Sequence, residues 1–305
     1  MERQPNKPMI KIQIPATSAN LGAGFDSLGL AVNLYNYIEM EPWDRLEISS
    51  ADNTQVPTDE SNLVYTSVKY LFDLCGKPLE GLRIRQTNNI PMTRGLGSSS
   101  ACIIGGLYGA NVLLGGPFNT DELVDIAAQI EGHPDNTTPA LLGGIVTAAF
   151  SEGKHVYWTK QEIYRHLDFY AVVPDFELST EKARACLPKT VSHEDARYNL
   201  ARAALFSASL LQGKYENLRI AVHDRLHQPF RMKLIPHSHE VFEQSHALGS
   251  YAAYVSGAGP TLMSIVSAEN QRFEPGMRAF LDEKGLAGWR IIRLSIDNQG
   301  THVVL

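Results

Sequence analysis

Residues 91–101, Pro-Met-Thr-Arg-Gly-Leu-Gly-Ser-Ser-Ser-Ala, constrain this chain more than any other stretch. They join an alternating segment at 82–88 to an almost uninterrupted run of small and apolar residues, 98–114, which predicts a central buried helix. Gly105 and Gly106 inside that run each cost about 1 kcal/mol of helix propensity, so close packing must compensate. Gly95 and Gly97 let the backbone approach a ligand. Ser98, Ser99 and Ser100 then set three hydroxyls beside the first amides of the helix, which carry partial positive charge. A loop of this composition suits a polyphosphate. It is not the lysine-bearing nucleotide loop, and Gly95-x-Gly97-x-x-Ser100 lacks the third glycine of the dinucleotide fingerprint. Charge neutralisation therefore falls to a divalent cation, the helix N-terminus and Arg94.

The remaining pattern is mixed. Ile10, Ile12 and Ile14 alternate with polar residues, predicting a strand over 9–15 that feeds a loop rich in Ser, Asn and Gly. Further strands are expected at 34–40, 45–50, 143–150 and 154–158, and amphipathic helices at 62–75 and 121–131. From Asp168 the pattern restarts, with strands at 168–173, 251–256, 262–267, 289–296 and 301–305. Helices are expected at 179–186, 195–212, 214–227, 237–247 and 277–284. Without regular βα alternation this is an α+β chain and not a doubly wound parallel sheet. Its 305 residues, 44% apolar and 20% charged, can fill two cores, and we divide them as 1–165 and 166–305. Twenty-seven basic against 33 acidic residues, net −6 with no long run of either sign, leave no basic face for nucleic acid or an anionic membrane. The longest nearly apolar stretch, Ala140–Phe150, is short of the ~20 residues that span a bilayer. The polar start, Met1–Pro8, has no apolar signal core, which reads as cytoplasmic. Cys75, Cys102 and Cys186 are odd in number and far apart, with no disulfide framework or CxxC site.

Pro91-x-x-x-Gly-Leu-Gly-Ser-Ser-Ser-Ala101 resembles the ATP loop of the GHMP kinase superfamily, which groups galactokinase, homoserine kinase, mevalonate kinase and phosphomevalonate kinase. Two further motifs stand in the expected order: Pro15-Ala-Thr-Ser-Ala-Asn-Leu-Gly-Ala-Gly-Phe-Asp-Ser-Leu-Gly-Leu30 and Ser256-Gly-Ala-Gly-Pro-Thr261. The first of these, with Glu131-Gly-His-Pro-Asp-Asn136 and the Pro-Ala-Leu-Leu-Gly-Gly that follows, is similar to the homoserine kinases in particular, and the likeness runs through essentially the whole chain. It implies a two-domain fold with a left-handed βαβ crossover in the N-terminal domain, against the general rule, and a ferredoxin-like C-terminal domain. It also implies ATP and Mg²⁺, L-homoserine as the small-molecule substrate, threonine biosynthesis as the setting, and a homodimer.

The resemblance assigns roles residue by residue. Pro91, Met92, Thr93, Arg94, Gly95, Leu96, Gly97, Ser98, Ser99, Ser100 and Ala101 would hold the phosphates, and Asn62 the adenine edge. Asn20, Asp26, Asn136, Arg184 and Arg231 would hold the amino acid, the arginine forks suiting a carboxylate. Glu131 matches the Mg²⁺ carboxylate, with Ser98 as its hydroxyl partner. By residue type alone, Asn20 and Asp26 are turn formers, the arginines solvated charges, Asn62 a helix-start residue and Glu131 a frayed helix end. Asn136 stands where other members of the superfamily carry a catalytic aspartate, and an amide cannot take a proton at neutral pH. The mechanism then rests on alignment and charge neutralisation, with the hydroxyl proton passing to phosphate, to water or to Asp26; Asp135 is the other candidate base.

His223-Asp-Arg-Leu-His227 supplies a rival. On one helix it would place two imidazoles at zinc-peptidase spacing, although Asp224 stands where that motif needs glutamate. A non-catalytic nucleotide sensor and a kinase for another small alcohol complete the alternatives.

Overall fold

The computed structural model describes residues 9–152, 154–163 and 167–304. Met1–Pro8, the boundary expected at 165/166 and Leu305 lie outside the described residues.

A first sheet is built from β1 (Ile10–Ala19), β2 (Leu28–Pro42), β3 (Leu46–Ser50), β4 (Leu82–Thr87), β5 (Ile145–Phe150), β6 (Val156–Gln161) and β11 (His302–Val304), in the order β11-β1-β2-β4-β3 with β5 and β6 branching from β2. Strand β2 is the spine, pairing with β1 along its length, with β4 over 37–42 and with β5 over 28–30. It starts before the expected 34, and β1 runs on to Ala19, because the Ser/Asn/Gly stretch is buried against its neighbours. The parallel pair β3/β4 is joined through α1 (Leu63–Leu74). Over the sheet lie α2 (Ser98–Leu114), α3 (Thr120–Glu131) and α4 (Pro134–Leu142). The α2 glycines are explained by contact: Gly105 faces Ile14 and Ile38, and a Cβ on Gly106 would stand 2.7 Å from that of Ser67.

The second sheet has the antiparallel order β10 (Arg290–Leu294), β7 (Leu167–Val173), β9 (Leu262–Ser267), β8 (Ala252–Val255). Helices α5 (Thr180–Ala185), α6 (His193–Gln212), α7 (Leu218–Ala221), α8 (Gln228–Arg231) and α9 (Ser238–Ala247) separate β7 from β8, and α10 (Phe273–Glu283) separates β9 from β10. That is the ferredoxin-like βαββαβ arrangement, with the fourth, first, third and second strands side by side. Strand β7 is buried on both faces: Phe169, Ala171 and Val173 join the core that contains the first sheet, Tyr170 and Val172 that of Phe273, Met277 and Leu281. The last strand, β11, returns to β1, so the two sheets are tied by the chain's end as well as its middle.

One element was not anticipated and one expectation fails. Residues 134–142 form α4, which their two prolines and poor helix formers concealed, although Pro134 sits at the first turn where proline is tolerated. Residues 214–227 are not one helix. After α7 the Asp224 carboxylate captures the amides of Leu226, His227 and Gln228, and turns the chain into α8. His223 and His227 therefore share no helix face, and both ring nitrogens of His227 already have protein partners, Gly22 and Arg231. The zinc constellation dissolves.

Candidate active site

The phosphate loop is held by its own carbonyls. Thr93 O accepts from Leu178 N–H (3.3 Å), Arg94 O from Thr261 N–H (3.2 Å), Gly95 O from Ser256 Oγ (2.6 Å) and Leu96 O from Thr17 N–H (3.1 Å). In trans peptides this turns the next amide of each unit the other way, towards a crevice lined by Gly95, Gly97 and Ser98–Ser100. The unpaired first amides of α2 continue the row. Gly95 and Gly97 adopt φ of +75° and +72°. A side chain on Gly95 would bring Cβ to 2.8 Å from Gly259 O, and one on Gly97 would collide with Thr17 Oγ1. Leu96 and Ala101 are buried beneath the loop, while Pro91 and Met92 begin it outside the crevice lining. Arg94 lines the same crevice. Its guanidinium donates to Pro174 O and Asp175 O and lies 3.5 Å from Glu177, so it also ties the loop to the segment that follows β7.

Opposite the loop, Glu131 ends α3 before the left-handed Gly132. Its carboxylate accepts from Ser100 Oγ at 3.0 Å, whereas Ser98, the partner expected for it, lines the same crevice. Burial raises the Glu131 pKa, against the lowering effect of His133 and the Ser100 hydrogen bond. His133 Nδ1 lies 2.5 Å from Asp135 Oδ1. Burial pulls this imidazole down, but the Asp135 hydrogen bond and charge outweigh it, and its pKa is raised. Asn136, on α4, accepts at Oδ1 from Thr17 Oγ1 at 2.7 Å, which leaves its NH₂ end for the crevice.

The third wall is charged. Asn20, Leu21 and Asp26 have left-handed φ of 69°, 45° and 54°, tolerable for Asn and Asp and strained for Leu. Asn20 pins the loop, accepting from Asp26 N–H at 3.0 Å and donating to Gly257 O at 3.0 Å. Asp26 meets the Arg184 fork at 3.0 and 3.4 Å. Arg231 is buried, donates from Nη1 to Gly257 O at 2.7 Å, and is pulled below the ordinary arginine pKa first by burial and then by Arg184. Phe25 lies under both guanidinium groups, 5.8 Å from Arg184 and 5.2 Å from Arg231.

One crevice thus gathers Asn20, Asp26, Asn136, Arg184 and Arg231 with the loop and Glu131. Asn62 is elsewhere. It caps α1, accepting from Val64 and Tyr65 amides and donating to Pro57 O and Gln86 Oε1, so each of its four hydrogen-bonding positions has a protein partner. Thr17, His133 and Thr180 are residues of the site that spacing did not single out: Thr17 reaches it through a contact with Asn136 on α4, and His133 and Thr180 line the crevice.

The model for the GHMP kinases N terminal domain matches residues 62–144, and that for the GHMP kinases C terminal matches 206–281. A homoserine kinase of Clostridium beijerinckii is 47% identical over 97% of this chain and 99% of its own length. One of Caldicellulosiruptor bescii is 45% identical, over 97% of each. Among solved structures, homoserine kinase from Cytophaga hutchinsonii superposes with a TM-score of 0.88 at 27% identity, covering all of both chains.

Proposed function

The chain belongs to the homoserine kinases of the GHMP kinase family, and from that membership and the crevice geometry we propose that it transfers the γ-phosphoryl group of ATP to the side-chain hydroxyl of L-homoserine, giving O-phospho-L-homoserine on the route to threonine. The observation that carries this reading is a phosphate loop sharing one crevice with Asp26, Arg184 and Arg231, a charge set with the shape of an amino-acid zwitterion.

In the unliganded crevice Asp26 and Arg184 satisfy one another. A bound α-amino acid replaces that pair: its carboxylate takes Arg184 and Arg231, and its ammonium takes Asp26. Both arginines face the crevice with like charge, which an incoming carboxylate relieves. The chain beyond Cα then carries the hydroxyl towards the phosphate loop, and the Asn136 NH₂ donates to an oxygen on that path. Alignment and charge neutralisation suffice for a loose phosphoryl-transfer transition state, and the hydroxyl proton passes to phosphate or water while Asp26 is held by the ammonium.

Glu131, with the Ser98 and Ser100 hydroxyls beside it, is an all-oxygen donor set suited to a hard cation. These residues would hold Mg²⁺, which supplies the positive charge that a loop without lysine does not. We also propose the division into domains at 165/166, a second copy of the chain as partner, and a cytoplasmic setting. No helix among the described residues is long and apolar enough to cross a membrane.

ADP release with ATP and Mg²⁺ across L-homoserine, L-serine, L-threonine, mevalonate, shikimate and galactose tests the reading. Homoserine is expected to react fastest. Preference for another alcohol would remove the arginine and Asp26 assignments, and ATP binding without turnover would favour a sensor.

A further inference from the structure

His227, part of the motif that failed as a zinc site, lies fully buried behind the substrate wall. Its Nε2 is 2.7 Å from Gly22 O, and its Nδ1 is 3.2 Å from Arg231 Nη1. A carbonyl only accepts and a guanidinium only donates, so both contacts require the same neutral tautomer, with the proton on Nε2 and the lone pair on Nδ1. Burial, with the Arg231 charge, favours that neutral form against the opposing charge of Asp224, 3.7 Å from Nε2.

The two partners belong to different halves of the site. Gly22 lies in the loop whose ends are Asn20 and Asp26; Arg231 lies on α8. The Phe25 ring of the same loop stacks on the imidazole, with centroids 5.1 Å apart and planes at 22°, and also lies against Arg231. Arg231 Nη1 is wholly committed, to His227 and to Gly257 O, leaving Nη2 as the donor towards the crevice. Arg231 Nε is buried with no partner. A guanidinium free to turn would satisfy that donor, so its orientation is imposed from outside.

We propose that His227 is a positioning residue that fixes Arg231 against the Gly22 loop and so sets the separation between the carboxylate and ammonium subsites. The proposal rests on the reading of Arg231 as a carboxylate ligand. Its consequence is a selective one: loss of the imidazole acceptor loosens the carboxylate subsite and leaves the phosphate loop, which is tied to Thr17, Leu178, Ser256 and Thr261, undisturbed.

Two variants separate the two contacts. His227→Gln can keep a donor for Gly22 O but loses the acceptor for Arg231, whereas His227→Asn keeps an acceptor near Nδ1. His227→Gln is expected to raise the homoserine KM about tenfold with the ATP KM and kcat within about threefold, and His227→Asn to recover most of the loss. A homoserine KM within twofold of the parent in His227→Gln, with Arg231→Ala raising it strongly, overturns the positioning role and spares the carboxylate reading. An Arg231→Ala KM equal to the parent's overturns that reading and the proposal with it. Parallel loss for ATP and homoserine reduces His227 to a fold support and also overturns it. Nitrogen-15 NMR of the histidines in the unaltered protein needs no variant to fold: the proposal requires His227 protonated at Nε2 alone, and a proton on Nδ1 contradicts it.

Discussion

The two sides of the crevice are made of different material. On the phosphate side the ligand surface is backbone: small residues, left-handed glycines and a helix start, with four successive carbonyls tied to the walls behind. On the substrate side it is long charged side chains, which in the unliganded protein neutralise one another or lean on neighbours, as Asp26 does on Arg184 and Arg231 on His227. Backbone amides have fixed geometry and cannot be replaced by another residue's side chain. Charged groups can shift, so their loss is partly compensated. The phosphate side should therefore fail abruptly and the substrate side by degrees.

Gly95→Ala is the strongest way to break that contrast. Its positive φ and the nearness of Gly259 O and Ser256 O leave no space for Cβ, and steady-state kinetics should show kcat/KM for ATP down about 1000-fold. A loss under tenfold would mean the loop has slack. Glu131→Gln comes next, with Mg²⁺-dependent turnover down about 100-fold. The same change should stabilise the metal-free protein at higher pH. The Glu131 pKa is raised by folding, so the folded state holds its proton more tightly than the unfolded chain, and stability is lost as pH rises through the raised pKa. Below the unfolded carboxylate range the two proteins should melt together, and above the raised pKa the variant should melt higher. A gap that closes with rising pH would reverse the assignment.

Arg231→Ala should raise the homoserine KM about 50-fold, and Arg184→Ala, on a more exposed side chain already paired with Asp26, about tenfold. In both, the ATP KM should stay near the parent value; equal losses for ATP would erase the distinction between the walls. Asn62→Ala has the smallest functional effect: about 1 kcal/mol of stability from the lost cap, seen in thermal melts, with the ATP KM within twofold. A tenfold rise there would restore Asn62 to the nucleotide site.

This difference in material also explains what the sequence disclosed. Residues 91–101 are contiguous, so their glycines, hydroxyls and following helix could be read in one line, and β4, α2 and α3 lie close to where periodicity placed them. The substrate wall is assembled from residues 20–26, 184 and 227–231, brought together by hydrogen bonds such as Asn20 to Gly257, and no local pattern encodes that meeting; only resemblance supplied the arginines. The failures have local causes. Pro139 hid α4, and Asp224, taken as a helical residue, instead stops a helix by satisfying amides beyond it. Nothing in 91–101 foretells the carbonyls of 174 and 175 that the Arg94 guanidinium meets.

The most direct test is a crystal structure with L-homoserine and a non-hydrolysable ATP analogue. The account predicts the homoserine carboxylate within hydrogen-bond distance of Arg184 and Arg231, the ammonium on Asp26 with the Asp26–Arg184 pair opened, and the triphosphate over residues 95–100. An intact Asp26–Arg184 pair with the amino acid bound elsewhere would contradict it.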